Sequence, residues 1–343
     1  MQGPPASPTP ASPATRFDLA DNAPARRFVV AIDPEKPPVG LEHPVLAIGN
    51  FDGIHRGHKA VIARAKARAD ALGCPCAAVT FEPHPSDHFG GPGTIFRLTT
   101  ADDKARLLET LGIDGMVLLT FDKAMAMMPA ETFVEDILVR RLGARAVVAG
   151  YDFHFGKART GTPAYLEDAG RRHGFDVEIV PKVESDGDGP IVVASSTATR
   201  LALEAGDIAR ATALLGHPYA ITGVVGGGQK LGRTLGFPTA NLVADPSCRL
   251  RHGIYAVRAT LDGTTYDGVA SWGRRPTVEV DGLPLLEVFL FDFSGDLYGR
   301  TMQVDFVAFL RGEAKFDSLE AMIAQMHADV DDAMAALAAD RPA

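Results

Sequence analysis

The chain has 343 residues, with 34 Lys+Arg against 43 Asp+Glu, a formal net charge of -9, 46% hydrophobic residues and 3 Cys. That length exceeds one ordinary core of roughly 100–200 residues, so two domains are expected, and the acidic balance argues against nucleic acid, whose binding rests largely on Lys and Arg displacing counterions. Apolar runs such as Ala146-Val147-Val148-Ala149 fall far short of the ~18 residues that cross a bilayer, which argues against a membrane partner, and three sparse cysteines suit a reducing compartment, so the expected location is cytoplasmic.

In chain order, residues 1–26 are rich in Pro, Ala and Ser and are expected to form a disordered tail, because they cannot bury enough apolar surface to offset ordering entropy. They carry no apolar run suited to a secretory signal. From residue 27, short β-rich runs at 45–48, 77–81, 116–119 and 146–149 alternate with helical spacing at 58–71, 100–111 and 130–142. Strands buried on both faces and separated by helices predict a Rossmann-like α/β domain with a parallel sheet over 27–216. Its last helix is predicted over 196–215, and His217-Pro218 interrupts it. Over 217–343 the texture changes to successive strands at 220–225, 253–261, 285–293 and 302–310, separated by turns such as Asp262-Gly263. Strands without intervening helices predict a small antiparallel β-barrel, closed by a C-terminal helix at about 318–338.

The first chemical motif, Gly49-Asn50-Phe51-Asp52-Gly53-Ile54-His55-Arg56-Gly57-His58, runs from a predicted strand into a predicted helix. The free N–H groups of a helix N-terminus bind phosphate, and Gly49, Gly53 and Gly57 permit close backbone approach. His55 and His58, three residues apart, can face one side and donate to the oxygens of one phosphate. Ser195-Ser196-Thr197-Ala198-Thr199-Arg200 opens a second helix with hydroxyls and sets Arg200 one turn on, either as a second phosphate clamp or as a plain helix cap with a surface Arg.

In the second half, Gly227-Gly228-Gln229-Lys230-Leu231-Gly232-Arg233-Thr234 nearly has Walker A spacing, but Arg233 stands where Lys is required and Pro238 precludes a following helix. Gly228 and Gly232 instead suit a glycine-rich flap over phosphate. Thr239 and Asn241, two apart on an extended segment, share a face, either as hard oxygen ligands suited to Mg²⁺ or as part of a plain polar edge strand. Glu287 alternates onto one face with Leu283, Leu285, Phe289 and Phe291, and a carboxylate on an apolar face is costly unless paired or employed. Cys74-Pro75-Cys76, with His84 and His88 downstream, has the wrong spacing for a zinc knuckle.

These segments together resemble the His-x-Gly-His nucleotidylyltransferase superfamily and, within it, the bacterial bifunctional riboflavin kinase/FAD synthetase family. Further stretches fit that family in order: Thr80-Phe81-Glu82-Pro83-His84-Pro85, Gly150-Tyr151-Asp152-Phe153-His154-Phe155-Gly156, Ser195-Ser196-Thr197-Ala198-Thr199-Arg200, Pro238-Thr239-Ala240-Asn241, Leu286-Glu287-Val288 and Arg311-Gly312-Glu313-Ala314-Lys315-Phe316. The resemblance implies riboflavin kinase in the second half and FMN adenylyltransferase in the first, with riboflavin, FMN and ATP as substrates and Mg²⁺ as cofactor. It implies that His55 and His58 contact the reacting phosphates, that Gly49, Phe51, Asp52, Gly57, Ser195, Ser196, Thr197 and Arg200 surround the nucleotide, and that Asp152 and Phe153 border the flavin. In the kinase half it implies Glu287 as catalytic base, Gly228, Gly232, Thr239 and Asn241 around ATP and metal, and Arg311 and Phe316 beside the flavin. Ser271-Trp272 departs from the family's usual Asn-Ile, and Gly227 from a frequent His. An adenylyltransferase for another phosphate acceptor and a non-catalytic flavin-binding regulator are the alternatives.

Overall fold

The computed structural model describes residues 27–183, 193–227, 239–273 and 285–341. The predicted tail, Gly228 and Gly232 lie outside the described residues.

The first half contains β1 (Val29–Ile32), β2 (Val45–Ile48), α1 (Arg56–Leu72), β3 (Cys76–Glu82), α2 (Pro85–Gly90), α3 (Ala101–Thr110), β4 (Gly115–Thr120), α4 (Lys123–Met127), α5 (Ala130–Thr132), β5 (Ala146–Gly150), α6 (Pro163–His173) and β6 (Asp176–Val180). Its strands form one parallel sheet in the order β1-β4-β3-β2-β5-β6. The four central strands carry the expected near-continuous apolar runs. The pattern reading missed β1 and β6, the two edges, because an edge strand covered on one side mixes exposed and half-buried residues. The predicted helix at 130–142 begins as α5 but widens into π-helical turns over Phe133–Arg141, burying Phe133, Val134, Ile137 and Leu138. From β2 the chain passes to β3 on one side, and from β5 to β6 on the other. The crevice over the carboxyl ends of β2 and β5 is therefore a topological switch point, the usual place for a ligand in an open α/β sheet.

The single helix predicted at 196–215 is two: α7 (Ser196–Ala205) and α8 (Ile208–Leu215). Gly206, at φ 78°, ends the first in a left-handed cap, and the Asp207 side chain starts the second by accepting from the Arg210 N–H. An apolar pattern continuous across both hid the break.

The second half contains β7 (Tyr219–Val224), β8 (Thr239–Val243), β9 (Gly253–Leu261), β10 (Thr264–Gly273), β11 (Leu285–Leu290), β12 (Thr301–Arg311) and α9 (Leu319–Ala339). Its antiparallel sheet has the order β7-β12-β9-β10-β11-β8 and curls until the two edges meet, where the Gly226 N–H donates to the Asn241 carbonyl at 2.8 Å. Trp272 is fully buried in this half-barrel and its indole N–H donates to the Leu250 carbonyl at 2.9 Å, which is how the chain accommodates its departure from the family pattern. α9 packs on β9, β10 and β12. Residues from both halves share one core: Phe96, Leu98, Leu203, Ile208 and Leu215 join Tyr219, Tyr255 and Phe306.

Candidate active site

The loop after β2 is strained. Phe51 and Ile54 adopt φ 48° and 40°, and Gly53 φ 81°. That geometry turns the chain from strand to helix so that His55 caps α1, its Nδ1 accepting the His58 N–H at 3.3 Å. Gly57 is closely packed there: a Cβ would lie 3.0 Å from the His55 ring. The His55 and His58 rings stack at 3.6 Å, and Phe51 meets His58 edge-on at 5.2 Å. Since Nδ1 of His55 is an acceptor, its proton resides on Nε2. Burial, opposed by Asp52 and reinforced by Arg200, lowers the His55 pKa to about 4. Burial, with neighbouring His55, Lys104 and Arg200, likewise holds His58 well below the ordinary range. At neutral pH both are uncharged imidazoles. Nδ1 of His58 is buried and has no hydrogen-bond partner among the described residues.

A cavity of about 700 Å³ lies over the switch point, and it brings together Gly49, Phe51, His55, Gly57, His58, Asp152, Phe153, Ser195, Ser196, Thr197 and Arg200. The N-terminus of α7 faces it. The Ser195 hydroxyl oxygen caps that helix by accepting from the Ala198 N–H, and the Ser196 hydroxyl donates to the Asp52 carbonyl at 2.9 Å. Arg200 donates through Nε to the Phe96 carbonyl at 2.7 Å and through Nη2 to Asp52. Asp52 itself does not line the cavity. It is buried at 2% exposure, and Oδ1 accepts from the Leu98 and Thr99 N–H groups at 3.0 and 3.1 Å, so the carboxylate acts by holding Arg200 and the loop. Phe153 stacks on Phe155 at 5.6 Å, and Asp152 is exposed at the cavity wall. The far end of the cavity is apolar, lined by Phe81, Phe89, Phe121, Met125, Met128 and Phe133.

Sequence reading missed the polar layer beneath this site. Lys104, 2% exposed, donates to Thr80 Oγ1 at 3.0 Å and Glu82 Oε1 at 3.1 Å, Arg97 also pairs with Glu82, and the Thr80 hydroxyl donates to the Asn50 carbonyl at 2.9 Å. The available signal was the spacing of Lys104 three, four and seven residues before Leu107, Leu108 and Leu111, which puts a cation on the apolar face of that predicted helix. His84 also lines the cavity, with Nδ1 accepting from the Ser86 N–H at 3.1 Å as the cap of α2. Cys74 and Cys76 form no disulfide. Among the described residues, Glu131, Glu135 and His173 are the group close enough to share a metal ion, but Arg172 already pairs with Glu131.

In the barrel, Glu287 lies directly opposite Asn241 on β8 and Ser271 on β10. Its face is the one on which Phe289 and Phe291 pack with Ala333 and Leu337 of α9. Leu286, Val288 and Leu290 point into the barrel core, whereas Leu285, Glu287 and Phe289 form the half-buried outer face. Thr239 and Asn241 share its face by alternation, since Ala240 and Leu242 are in the core. Asn241 is 8% exposed, and its Oδ1 is buried without a partner among the described residues. An orphaned, buried carboxamide oxygen beside a hydroxyl and a carboxylate fits a hard divalent cation. Arg311 forms a two-point ion pair with buried Asp329 at 2.6 Å for each contact, and its guanidinium lies 5.9 Å from the Phe316 ring.

A phosphate loop at the switch point of a parallel sheet, joined to an antiparallel half-barrel carrying a second polar site, defines a two-site group-transfer enzyme. The chain matches the FAD synthetase family over residues 39–197 and the riboflavin kinase family over 215–337. It is 44% identical to the bifunctional riboflavin kinase/FMN adenylyltransferase of Pseudomonas fluorescens, covering 83% of this chain and 90% of that one, and 41% identical to that of Haemophilus influenzae, covering 86% and 94%. A solved structure described as a macrolide-efflux protein from Streptococcus pneumoniae has the same fold, with a TM-score of 0.76 at 30% identity over 88% of this chain and 97% of that one. The chain belongs to the bifunctional riboflavin kinase/FMN adenylyltransferase family. Among the described residues no helix is long and apolar enough to cross a membrane.

Proposed function

We propose that this chain makes FMN and then FAD, through two sites with separate residues. In the kinase half, over 217–343, the ribityl 5′-hydroxyl of riboflavin attacks the γ-phosphate of ATP, and Glu287 takes the hydroxyl proton. Thr239 and Asn241 would hold the divalent metal that this transfer requires, with Mg²⁺ as the natural choice for oxygen ligands on nucleotide phosphates. Bound there, it would neutralise phosphate charge. Arg311 and Phe316 are assigned to the border of that flavin.

In the half over 27–216, a phosphate oxygen of FMN attacks the α-phosphorus of a second ATP, and pyrophosphate leaves. No protein nucleophile is needed. Two neutral imidazoles donating hydrogen bonds, together with the N-termini of α1 and α7 and the Arg200 cation, offset the charge that develops in the in-line transition state. Ser195, Ser196 and Thr197 accompany Arg200 on the pyrophosphate side, and Asp152 and Phe153 border the flavin, whose flat rings suit the apolar end of the cavity. The observation that carries this half is the pairing of stacked, uncharged His55 and His58 with two helix N-termini in one cavity.

Incubating the protein with riboflavin and Mg-ATP and resolving flavins by chromatography tests both halves. FMN and FAD should both accumulate. Glu287→Gln should abolish FMN formation but leave FAD formation from supplied FMN, and His58→Ala should do the reverse. FMN without FAD in the unmodified protein would refute the role given to the first cavity, and loss of both activities in either folded variant would refute independent sites.

A further inference from the structure

The strained loop is held at both ends of one peptide residue. The Gly53 N–H donates to Thr99 Oγ1 at 3.1 Å, and the Gly53 carbonyl faces Nε2 of His217 at 3.0 Å. His217 lies in the three-residue junction Gly216–Pro218 between α8 and β7, far from the loop in sequence. Its other nitrogen, Nδ1, lies 2.8 Å from the Pro218 carbonyl. Beside it, Lys59 of α1 donates to the Gly216 carbonyl at 2.8 Å, so this junction grips the loop and the first turn of α1 together. Gly53 has φ 81° and is closely packed: a Cβ there would lie 2.8 Å from Leu98 and 3.2 Å from Leu215. Two residues further on stands His55, whose ring orientation decides where its Nε2–H points.

We propose that His217 is a positioning residue for adenylyl transfer: its Nε2–H, donated to the Gly53 carbonyl, fixes the loop that presents His55 and His58 to the reacting phosphates. This rests on the reading of the first cavity as the adenylyl-transfer site. His217 does not line that cavity, so it acts through the loop, and a residue opening the barrel half thereby sets the geometry of the other half's chemistry. An imidazole facing two carbonyls has a specific requirement. A neutral imidazole has a single N–H: on Nε2 it donates to the loop, on Nδ1 it would serve only the junction, so the role in the loop requires the Nε2–H tautomer.

Glutamine places an amide N–H near the Nε2 position and asparagine near the Nδ1 position, so the two substitutions separate these contacts. In the full-length protein, His217→Asn and His217→Ala should lower kcat for FAD formation from FMN about tenfold, the effect of one lost positioning hydrogen bond, with KM for ATP little changed. His217→Gln should restore most of that rate, and riboflavin kinase activity of the same preparations should be unaltered. Equal rates in all three variants and the unmodified protein would overturn the proposal, as would equal losses in all three, or a parallel fall in kinase activity. If the unmodified protein makes no FAD from FMN, the reading of the cavity fails, and the inference with it.

Discussion

The histidine pair shows how one residue's surroundings set its chemistry. A free imidazole titrates near pH 6.5, but burial lowers His55 to about 4. Unfolded His55 takes up a proton below pH 6.5 while the folded ring refuses it until about 4, so the unfolded state binds more protons in that window and stability falls as pH drops through it. The loss is on the order of 3 kcal/mol at most for a group this buried. Urea unfolding at pH 7 and pH 4.5 should therefore show a smaller acid-induced drop in His55→Gln than in the unmodified protein; an equal drop would mean that the ring is not neutral in the native state. Asp52 carries the complementary lesson. Its position in the motif was readable, but its task was not, because its partners Leu98, Thr99 and Arg200 come from distant parts of the chain.

At the scale of elements, the strand-helix alternation was legible wherever burial is strong. It failed at β1 and β6, where one-sided burial blurs the pattern, and at the α7–α8 break. There Gly206 does what no other residue can do cheaply. Its φ is 78°, and a Cβ would lie 2.8 Å from the Arg251 side chain and 3.3 Å from Phe309, so Gly206→Ala should lower stability by about 1–2 kcal/mol in chemical denaturation. An unchanged midpoint would show that the helix pair can rearrange at that point. The strand of Glu287 teaches the reverse lesson. Period-two alternation correctly grouped Glu287 with Leu285 and Phe289, but which of the two faces meets the core depends on how the sheet curls.

Across the whole molecule the two halves are joined by one apolar core, to which α7, α8 and the segment holding Phe96 and Leu98 contribute beside the barrel. The Arg97 N–H donates to Ser247 Oγ at 3.0 Å, and Phe96 meets Tyr219 edge-on at 6.1 Å, so the segment that steadies Asp52 is itself fastened to the barrel. Shared burial of this kind makes unfolding cooperative. The chain's one Trp, Trp272, is in the barrel core. In urea its fluorescence change should coincide with loss of FAD formation, a first-half property. Loss of FAD formation well before the fluorescence transition would mean that the halves unfold separately.

Local spacing in the chain was enough to establish the His-x-Gly-His loop before a helix, the Ser-Ser-Thr and Pro-Thr-Ala-Asn segments, the two-part architecture and the side chains able to handle phosphate. These features depend on neighbours within one or two turns of backbone. The burial that keeps His55 uncharged, the tethering of Arg200 to Asp52, the outer face of Glu287 and the hold of His217 on Gly53 were decided only by tertiary structure. Each rests on contacts between residues far apart in the chain, and burial and hydrogen-bond partnership of that range exist only once the sheets have closed over one another.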